Sequence, residues 1–326
     1  MNRILVTIII PVYNVADWIE RCLLSVCNQT YTNIECIIVN DSTPDNSMQI
    51  VDRVLESYVG PIKFKVLTHE KNRGLSAARN TGVKNANGDY LFFLDSDDEL
   101  YSDRVVDLFN SYIKKYGDAD FFIGNYECIG APFYLSLSSD VFCNNGKDIF
   151  YSYLKSKWYV MACGKFIKRS FFMENEMWFK KGVLHEDELF SFRLAFYAST
   201  MVTVYEKIYK YKIRNNSIAS NRGLKNYVDL QTIIFENYAL TKSEQGLDKQ
   251  KHVISYFISV LFGFTRSVMN CSLIPAFEKR HLFDCSKFML YDLSREINLS
   301  YGKIYVESLI LRMHYRLLSA FMKILG

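Results

Sequence analysis

Two acidic clusters hold the residues best suited to chemistry. In "FFLDSDDEL" (92–100) an apolar run ends in Asp95, Asp97, Asp98 and Glu99. Like charges gathered where a core strand ends call for a positive partner. Asp-x-Asp just past a strand can supply two carboxylates to one hard divalent cation. Mg²⁺ or Mn²⁺ bound there keeps positions open for water and phosphate oxygens. Asp97, Asp98 and Glu99 equally suit the N-terminus of a following helix, whose dipole favours carboxylates. The second cluster is "LHEDELF" (184–190), where Glu186, Asp187 and Glu188 open a helical pattern. Those acids can accept a proton or stabilise the helix start.

The surrounding pattern says what positions them. "VTIIIPVY" (6–13) is a continuous β-branched run, as expected of a strand buried on both faces. A helix is expected over 17–29, with Asp17 placed to cap it. Strands follow at 34–40, 62–69, 89–95 and 118–125, with helices at about 45–55, 76–86 and 103–115. This alternation predicts an α/β fold, a mostly parallel sheet with helices on both faces. Ligands of such sheets sit beyond the carboxyl ends of the strands. Those ends carry Pro11-Val12-Tyr13-Asn14, Asn40-Asp41-Ser42 and Asp95-Ser96-Asp97-Asp98. Residues 126–180 read as aromatic-rich and irregular, 186–198 as helix and 201–213 as strand. From Leu224 the pattern is helical, with breaks near Gly246 and Ile274-Pro275. A boundary falls in the polar stretch 216–223, which divides a domain at 1–218, itself of two parts at 1–100 and 101–218, from a helical region at 219–326.

Composition bounds the rest. The 326 residues are 49% hydrophobic and 15% aromatic, enough for a sizeable core. A net charge of +4 is too small to imply nucleic-acid binding. Residues 216–326 carry 14 Lys/Arg against 9 Asp/Glu, a hint of an anionic neighbour such as a membrane surface. The eight cysteines form no CxxC pair and read as reduced and structural. No leader pattern precedes Ile4, and no strictly apolar run reaches the ~18 residues of a membrane span. A cytoplasmic location follows as the expectation. Within 309–325, Arg312, Arg316 and Lys323 would share one narrow stripe of a single helix, either the wet edge of a buried helix or the basic side of one lying on a membrane.

"TIIIPVYN" (7–14), "VNDST" (39–43), "NRGLSAARNTG" (72–82) and "GDYLFFLDSDD" (88–98), in this order and spacing, closely resemble the inverting family 2 glycosyltransferases of GT-A fold. The resemblance continues more loosely through 164–170, 184–190 and 211–218. It implies a nucleotide-diphospho-sugar donor, often a uridine one, and a saccharide or lipid-linked saccharide acceptor in surface-polysaccharide synthesis. Enzymes of this kind are metal-dependent hexosyl- or N-acetylhexosaminyl-transferases, and contact with the inner membrane face would suit such an acceptor. Pro11 and Tyr13 match the loop beneath the nucleoside, Asp41 the acid that meets the base, and Arg79 the arginine of the A-R-N element on the nucleotide side. Asp95 and Ser96 match donor contacts, and Asp97 with Asp95 the metal-binding D-x-D. Asp98 matches a cap or supporting residue. The family's general base aligns on Asp187, with Glu186 as the fallback. His185 would touch metal or diphosphate, or pack as a polar residue; Lys165 and Arg214 would meet diphosphate or a charged acceptor, or lie on the surface. The usual Asp-Asp-Gly-Ser-Thr is here Asn40-Asp41-Ser42-Thr43-Pro44, which leaves that loop's shape open. Two rivals stand beside this reading. A nucleotidyltransferase shares such sheets but needs a glycine-rich phosphate loop after the first strand. A non-catalytic binding module would have no use for both Asp97 and Asp187.

Overall fold

The computed structural model describes residues 3–130, 135–213 and 223–325. Its sheet grows outward from β1 (Val6–Val12), every residue of which is buried. β1 pairs in parallel with β2 (Ile34–Asn40) on one side and β4 (Tyr90–Phe93) on the other. β3 (Lys63–Thr68) joins β2 in parallel and closes that edge, which explains its alternating lysines and its exposure. Beyond β4 the strands run β8 (Lys165–Lys168), β6 (Phe121–Ile129), β9 (Met201–Lys212) and the two-residue β5 (Glu99–Leu100). β8 is antiparallel to both β4 and β6, whereas β6 and β9 are parallel. β7 (Val141–Cys143) pairs with β9. The expected α/β class is what the chain adopts, but the sheet is mixed: parallel over β3-β2-β1-β4 and largely antiparallel beyond β4.

Helices α1 (Ile19–Cys27), α2 (Ser47–Ser57), α3 (Leu75–Lys84) and α4 (Val105–Tyr116) connect the first strands. α3 lies unusually close to the sheet because its buried residues include Ser76, Ala77, Ala78 and Gly82. A Cβ on Gly82 would stand 2.3 Å from Ile9 Cγ2, so only glycine permits that approach. Gly88 is similarly pressed, since its Cβ would meet Thr7 Oγ1 at 2.4 Å and Thr7 N at 2.6 Å. Gly82 therefore sets the distance between α3 and the sheet, and Gly88 the approach of the turn before β4 to β1.

Several local expectations are corrected. Asp17 does not cap α1; Trp18 holds the cap position without a side-chain bond. The stretch 126–180 is not irregular throughout. It contains β7, α5 (Gly146–Leu154), β8 and α6 (Arg169–Glu174). These were illegible because β8 is four residues long and places a lysine in the middle of a sheet.

The chain divides into two compact units. One comprises Met1–Tyr153, Lys157–Gly182 and Glu186–Arg214; the other comprises Leu154–Ser156, Val183–His185 and Asn215–Gly326. The proposed boundary stretch falls largely outside the described residues. The first unit also holds α7 (Glu186–Tyr197). In the second, α9 (Lys251–Asn270) packs against α8 (Leu224–Ser243), α10 (Ala276–Ser294), α11 (Lys303–Leu311) and α12 (Tyr315–Leu325). Its buried face runs Val253, Ile254, Phe257, Ile258, Leu261, Phe264, the spacing of an amphipathic helix. α9 is long and apolar enough by length and composition to cross a bilayer, contrary to the expectation from strictly apolar runs; half of that stretch is buried. The single terminal helix is also corrected. It breaks after Leu311 and restarts at Tyr315, so Arg312 caps the end of α11 while Arg316 lies in α12, and the side chain of Lys323 is outside the described residues. Among the described residues Arg312 and Arg316 do not share one helix face.

Candidate active site

β1, β2 and β4 run in the same direction, so Tyr13-Asn14, Asp41 and Asp95–Asp97 leave the sheet at one edge. Arg79 organises one half of that edge. α3 carries it into the protein, where its side chain is 1% exposed. Nη1 donates to Glu186 Oε1 at 3.0 Å and to Asp187 Oδ1 at 2.9 Å, and Nη2 donates to Asp95 Oδ1 at 2.8 Å. The guanidinium sits 5.1 Å from the centre of the Phe179 ring. The next residue, Asn80, brackets the Phe179 backbone with bonds of 2.8 and 2.9 Å. The A-R-N element thus orients one aromatic platform and one cation together. Read from the sequence as a nucleotide-side or solvated arginine, Arg79 here faces carboxylates from two distant segments.

Three carboxylates share one guanidinium, so negative charge remains uncompensated. Burial, with Asp187 adding to it, pushes Glu186 above the usual carboxylate range. Burial and Asp187 likewise push Glu188 up to about 7. Asp187 and Asp95 keep about a quarter of their side-chain surface open, at 27% and 28%. Their position at the start of α7 and the end of β4 leaves one oxygen of each outside the Arg79 bonds.

The rest of the D-x-D loop is tied to β9. Asp98 accepts from Tyr209 Oη at 2.7 Å and from the Lys212 backbone N–H at 2.8 Å. Tyr209 Oη in turn accepts the Asp95 N–H at 3.2 Å. Burial, then Asp97 and Asp95, push Asp98 up to about 8. The expectation that Asp98 and Glu99 cap a helix is corrected. Glu99 lies in β5, and α4 begins only at Val105 with no side-chain cap. Glu99 pairs instead with Lys212, with Lys210 at 3.9 Å and with Arg21 at 3.8 Å. A tyrosine and cations from β9 are stronger partners than the distant start of α4. Ser96 is buried and Asp97 half-buried.

Asp41 sits in the other half, and it is enclosed. Oδ1 accepts from the Arg73 N–H at 2.8 Å and lies 2.6 Å from His69 Nδ1; Oδ2 accepts from the Gly74 N–H at 2.7 Å. His69 Nε2 reaches Thr81 Oγ1 at 2.9 Å. Asp41 therefore clamps the turn that starts α3. Next to it, Ser42 takes φ +58°, the left-handed region. Glycine adopts that region readily and serine does so at a cost. Ser42, which stands where the resembled motif carries glycine, thus takes a backbone conformation that glycine favours. Thr43, Asp45 and Ser47 then stitch it to the end of β1. Asn14 N–H donates to Thr43 Oγ1 at 2.8 Å, Ala16 N–H to Asp45 Oδ2 at 2.9 Å and Val15 N–H to Ser47 Oγ at 3.1 Å. Against the opposing effect of burial, bonds from Ser47 and Thr43 hold Asp45 down to about 2. Pro11 is buried within β1, whereas the Tyr13 side chain is 46% exposed at the mouth.

The remaining candidates separate. Lys165 is fully buried on β8 and donates to the carbonyls of Tyr159 (3.2 Å) and Met161. Burial lowers it to about 7. It braces the 158–164 loop, which corrects the surface alternative and encloses the ammonium rather than presenting it to a diphosphate or charged acceptor. His185 takes φ +64° directly before Glu186. Arg214 lies outside the described residues. Sequence reasoning missed His69 and Tyr209. His69 had a signal, as a histidine on the carboxyl end of a strand; Tyr209 had only its alternation along β9.

Among the described residues, no three His, Cys, Asp or Glu side chains are grouped to hold a metal by themselves. A Mg²⁺- or Mn²⁺-type ion asks for less, one or two carboxylates completed by phosphate oxygens and water. The D-x-D loop, with Asp95 and Asp97 one residue apart at the ligand edge and both partly exposed, fits that requirement.

Comparison with known proteins adds family context. A family model described as "Glycosyl transferase family 2" matches residues 7–186. "Glycosyltransferase GlyA" of Streptococcus pneumoniae is 32% identical over 263 residues, 77% of this chain; the match spans 36% of that longer protein. "Poly(ribitol-phosphate) beta-N-acetylglucosaminyltransferase TarP" of Staphylococcus aureus is 32% identical over 67% of this chain and 65% of its own. Residues 1–349 of S. aureus TarS, solved with UDP-GlcNAc, superpose with a TM-score of 0.73 at 17% identity, covering 96% of this chain and 92% of that one.

Proposed function

The chain belongs to glycosyl transferase family 2, and from that premise we propose that it moves a sugar, with inversion, from a uridine-diphosphate donor to a hydroxyl of a saccharide or lipid-linked saccharide in surface-polysaccharide synthesis. An N-acetylhexosamine is the favoured donor sugar, on the likeness to TarP. The observation that carries the mechanism is the meeting of Asp95 and Asp187 on one buried arginine at the ligand edge.

In this reading the nucleoside lies along the Tyr13 side of the edge, near Asp41. The diphosphate reaches the D-x-D loop. Asp97, with Asp95, would hold a divalent cation, Mg²⁺ or Mn²⁺, which supplies positive charge to the departing diphosphate. Asp187 takes the proton of the acceptor hydroxyl as its oxygen bonds to the anomeric carbon and the bond from that carbon to the diphosphate breaks. Arg79 orients Asp187 by a bond of 2.9 Å to Oδ1 and leaves the other carboxylate oxygen for the hydroxyl. Glu186 is the fallback base: its side chain is 13% exposed against 27% for Asp187, so it leaves less room for an acceptor hydroxyl.

Peripheral contact with an inner membrane face is also proposed. It is supported by exposed Phe277, Phe288 and Tyr291 on α10, not by a terminal basic stripe. Retention of the chain on anionic liposomes, and its loss in Phe277→Ser/Phe288→Ser, checks this.

The reaction itself is tested by thermal shift and by transfer assay. UDP with Mn²⁺ should stabilise the fold more than GDP, CDP or UDP alone. Asp187→Asn should bind UDP normally and transfer about 10²–10⁴-fold more slowly. Undiminished transfer in that variant would remove Asp187 as the base.

A further inference from the structure

We propose that Arg79 is the positioning residue of the transfer reaction, holding the base carboxylate in register with the D-x-D loop. This rests on the assignment of Asp187 as base and goes beyond it. The argument begins with connectivity. Asp95 lies 16 residues from Arg79, and Asp187 lies 108 away. Both acids end on one planar group, through Nη1 and Nη2. A guanidinium presents its donors in a rigid fork, so the two acids are held at a separation set by the arginine itself. A lysine ammonium would carry the charge without that spacing.

Burial strengthens the case. Arg79 is 1% exposed, while its acid partners are 13%, 28% and 27% exposed for Glu186, Asp95 and Asp187. The cation forms the floor and the acids line the open side. The ring of Phe179, itself stacked on Phe190 at 4.3 Å between centres, fixes the guanidinium from one face. Asn80 holds Phe179 in turn. Arg79 Nε has no hydrogen-bond partner, so the guanidinium is committed through its two Nη groups to the carboxylates. Such a supported arrangement is what preorganised bases require, since small displacements of a reacting group cost large factors in rate.

The test is a double-mutant cycle in the full chain. Arg79→Lys, Asp187→Asn and the pair are compared for UDP affinity in the presence of Mn²⁺, donor KM and kcat for transfer. Arg79→Lys should fold, keep UDP affinity and donor KM within about threefold, and lose kcat by about 100-fold. Because both changes then act on one function, the pair should be no slower than Asp187→Asn alone. Multiplying effects would overturn the proposal, as would a kcat within about threefold of the parent in Arg79→Lys. If Asp187→Asn itself transfers normally, the base assignment fails, and that outcome is distinct because it does not involve Arg79. Should the lysine variant not fold, Phe179→Leu, which removes the ring under the guanidinium and leaves its charge, takes its place in the cycle. Non-additivity of that variant with Asp187→Asn supports the proposal, and strict additivity overturns it.

Discussion

Asp41 and Asp187 are carboxylates at the same sheet edge, and they are held in opposite ways. Asp41 is gripped by two backbone N–H groups and His69, and its side chain is 3% exposed. Asp187 is gripped at one oxygen by a side chain from another part of the chain and keeps 27% of its surface open. The first arrangement, drawn from residues 28 to 33 positions away, satisfies both oxygens, so it shapes a loop. The second is long-range and leaves capacity for a reacting partner. Acidity of residue type does not distinguish them; what distinguishes them is how much of the hydrogen-bonding potential the fold consumes.

Four changes can break or sharpen that contrast. The largest effect is expected at the open side. Asp97→Ala, or removal of the divalent cation by a chelator, should weaken UDP binding by about 10-fold or more and abolish the metal-dependent part of the thermal shift, leaving the unliganded melting temperature nearly unchanged. A metal-independent thermal response to UDP in the parent protein would remove the cation from the donor site. On the enclosed side the order reverses. Asp41→Asn should cost about 2 kcal/mol of stability in urea denaturation, because an amide nitrogen would face backbone donors in a buried turn. A fully stable variant would show that the clamp contributes little.

The third change probes charge crowding at the start of α7. Burial raises Glu188 to about 7 in the folded chain, above its ordinary value near 4.5. The folded state therefore binds the extra proton between those values, and stability falls as pH rises through that window. Glu188→Gln should reduce the slope, to which Glu186 and Asp98 also contribute, and stabilise the protein at pH 8 by about 1 kcal/mol, after discount for partial exposure. Parallel stability–pH curves for the two proteins would contradict it. The smallest effect belongs to Ser42→Gly. Relief of left-handed backbone strain, less the entropy glycine loses on folding, leaves a gain of about 0.5 kcal/mol. A lower melting temperature would show that the Ser42 side chain contributes more than the strain costs.

Much of this was legible in the chain. Apolar-rich runs at 6–12 and 34–40 carry the signal of buried strands, and four ordered motifs place Asp41, Arg79, Asp95 and Asp97 at one edge. Asp187 was legible as a carboxylate at a helix start. β8 was not legible, because four residues containing Lys165 and Lys168 carry no apolar alternation. The break at 312–314 was hidden for a related reason: the apolar spacing continues across it, so periodicity alone reads one helix.

By itself, then, the sequence determined the elements, their order and the residue types brought to the ligand edge, since period and composition are local properties. Only the tertiary structure decided the partners. Which acids share Arg79, and which are sealed by backbone donors, depends on contacts spanning 16 to 108 residues. No local pattern encodes such contacts. They arise when small residues let α3 sink against β1 and carry a charged side chain beneath the carboxylates that offset its burial.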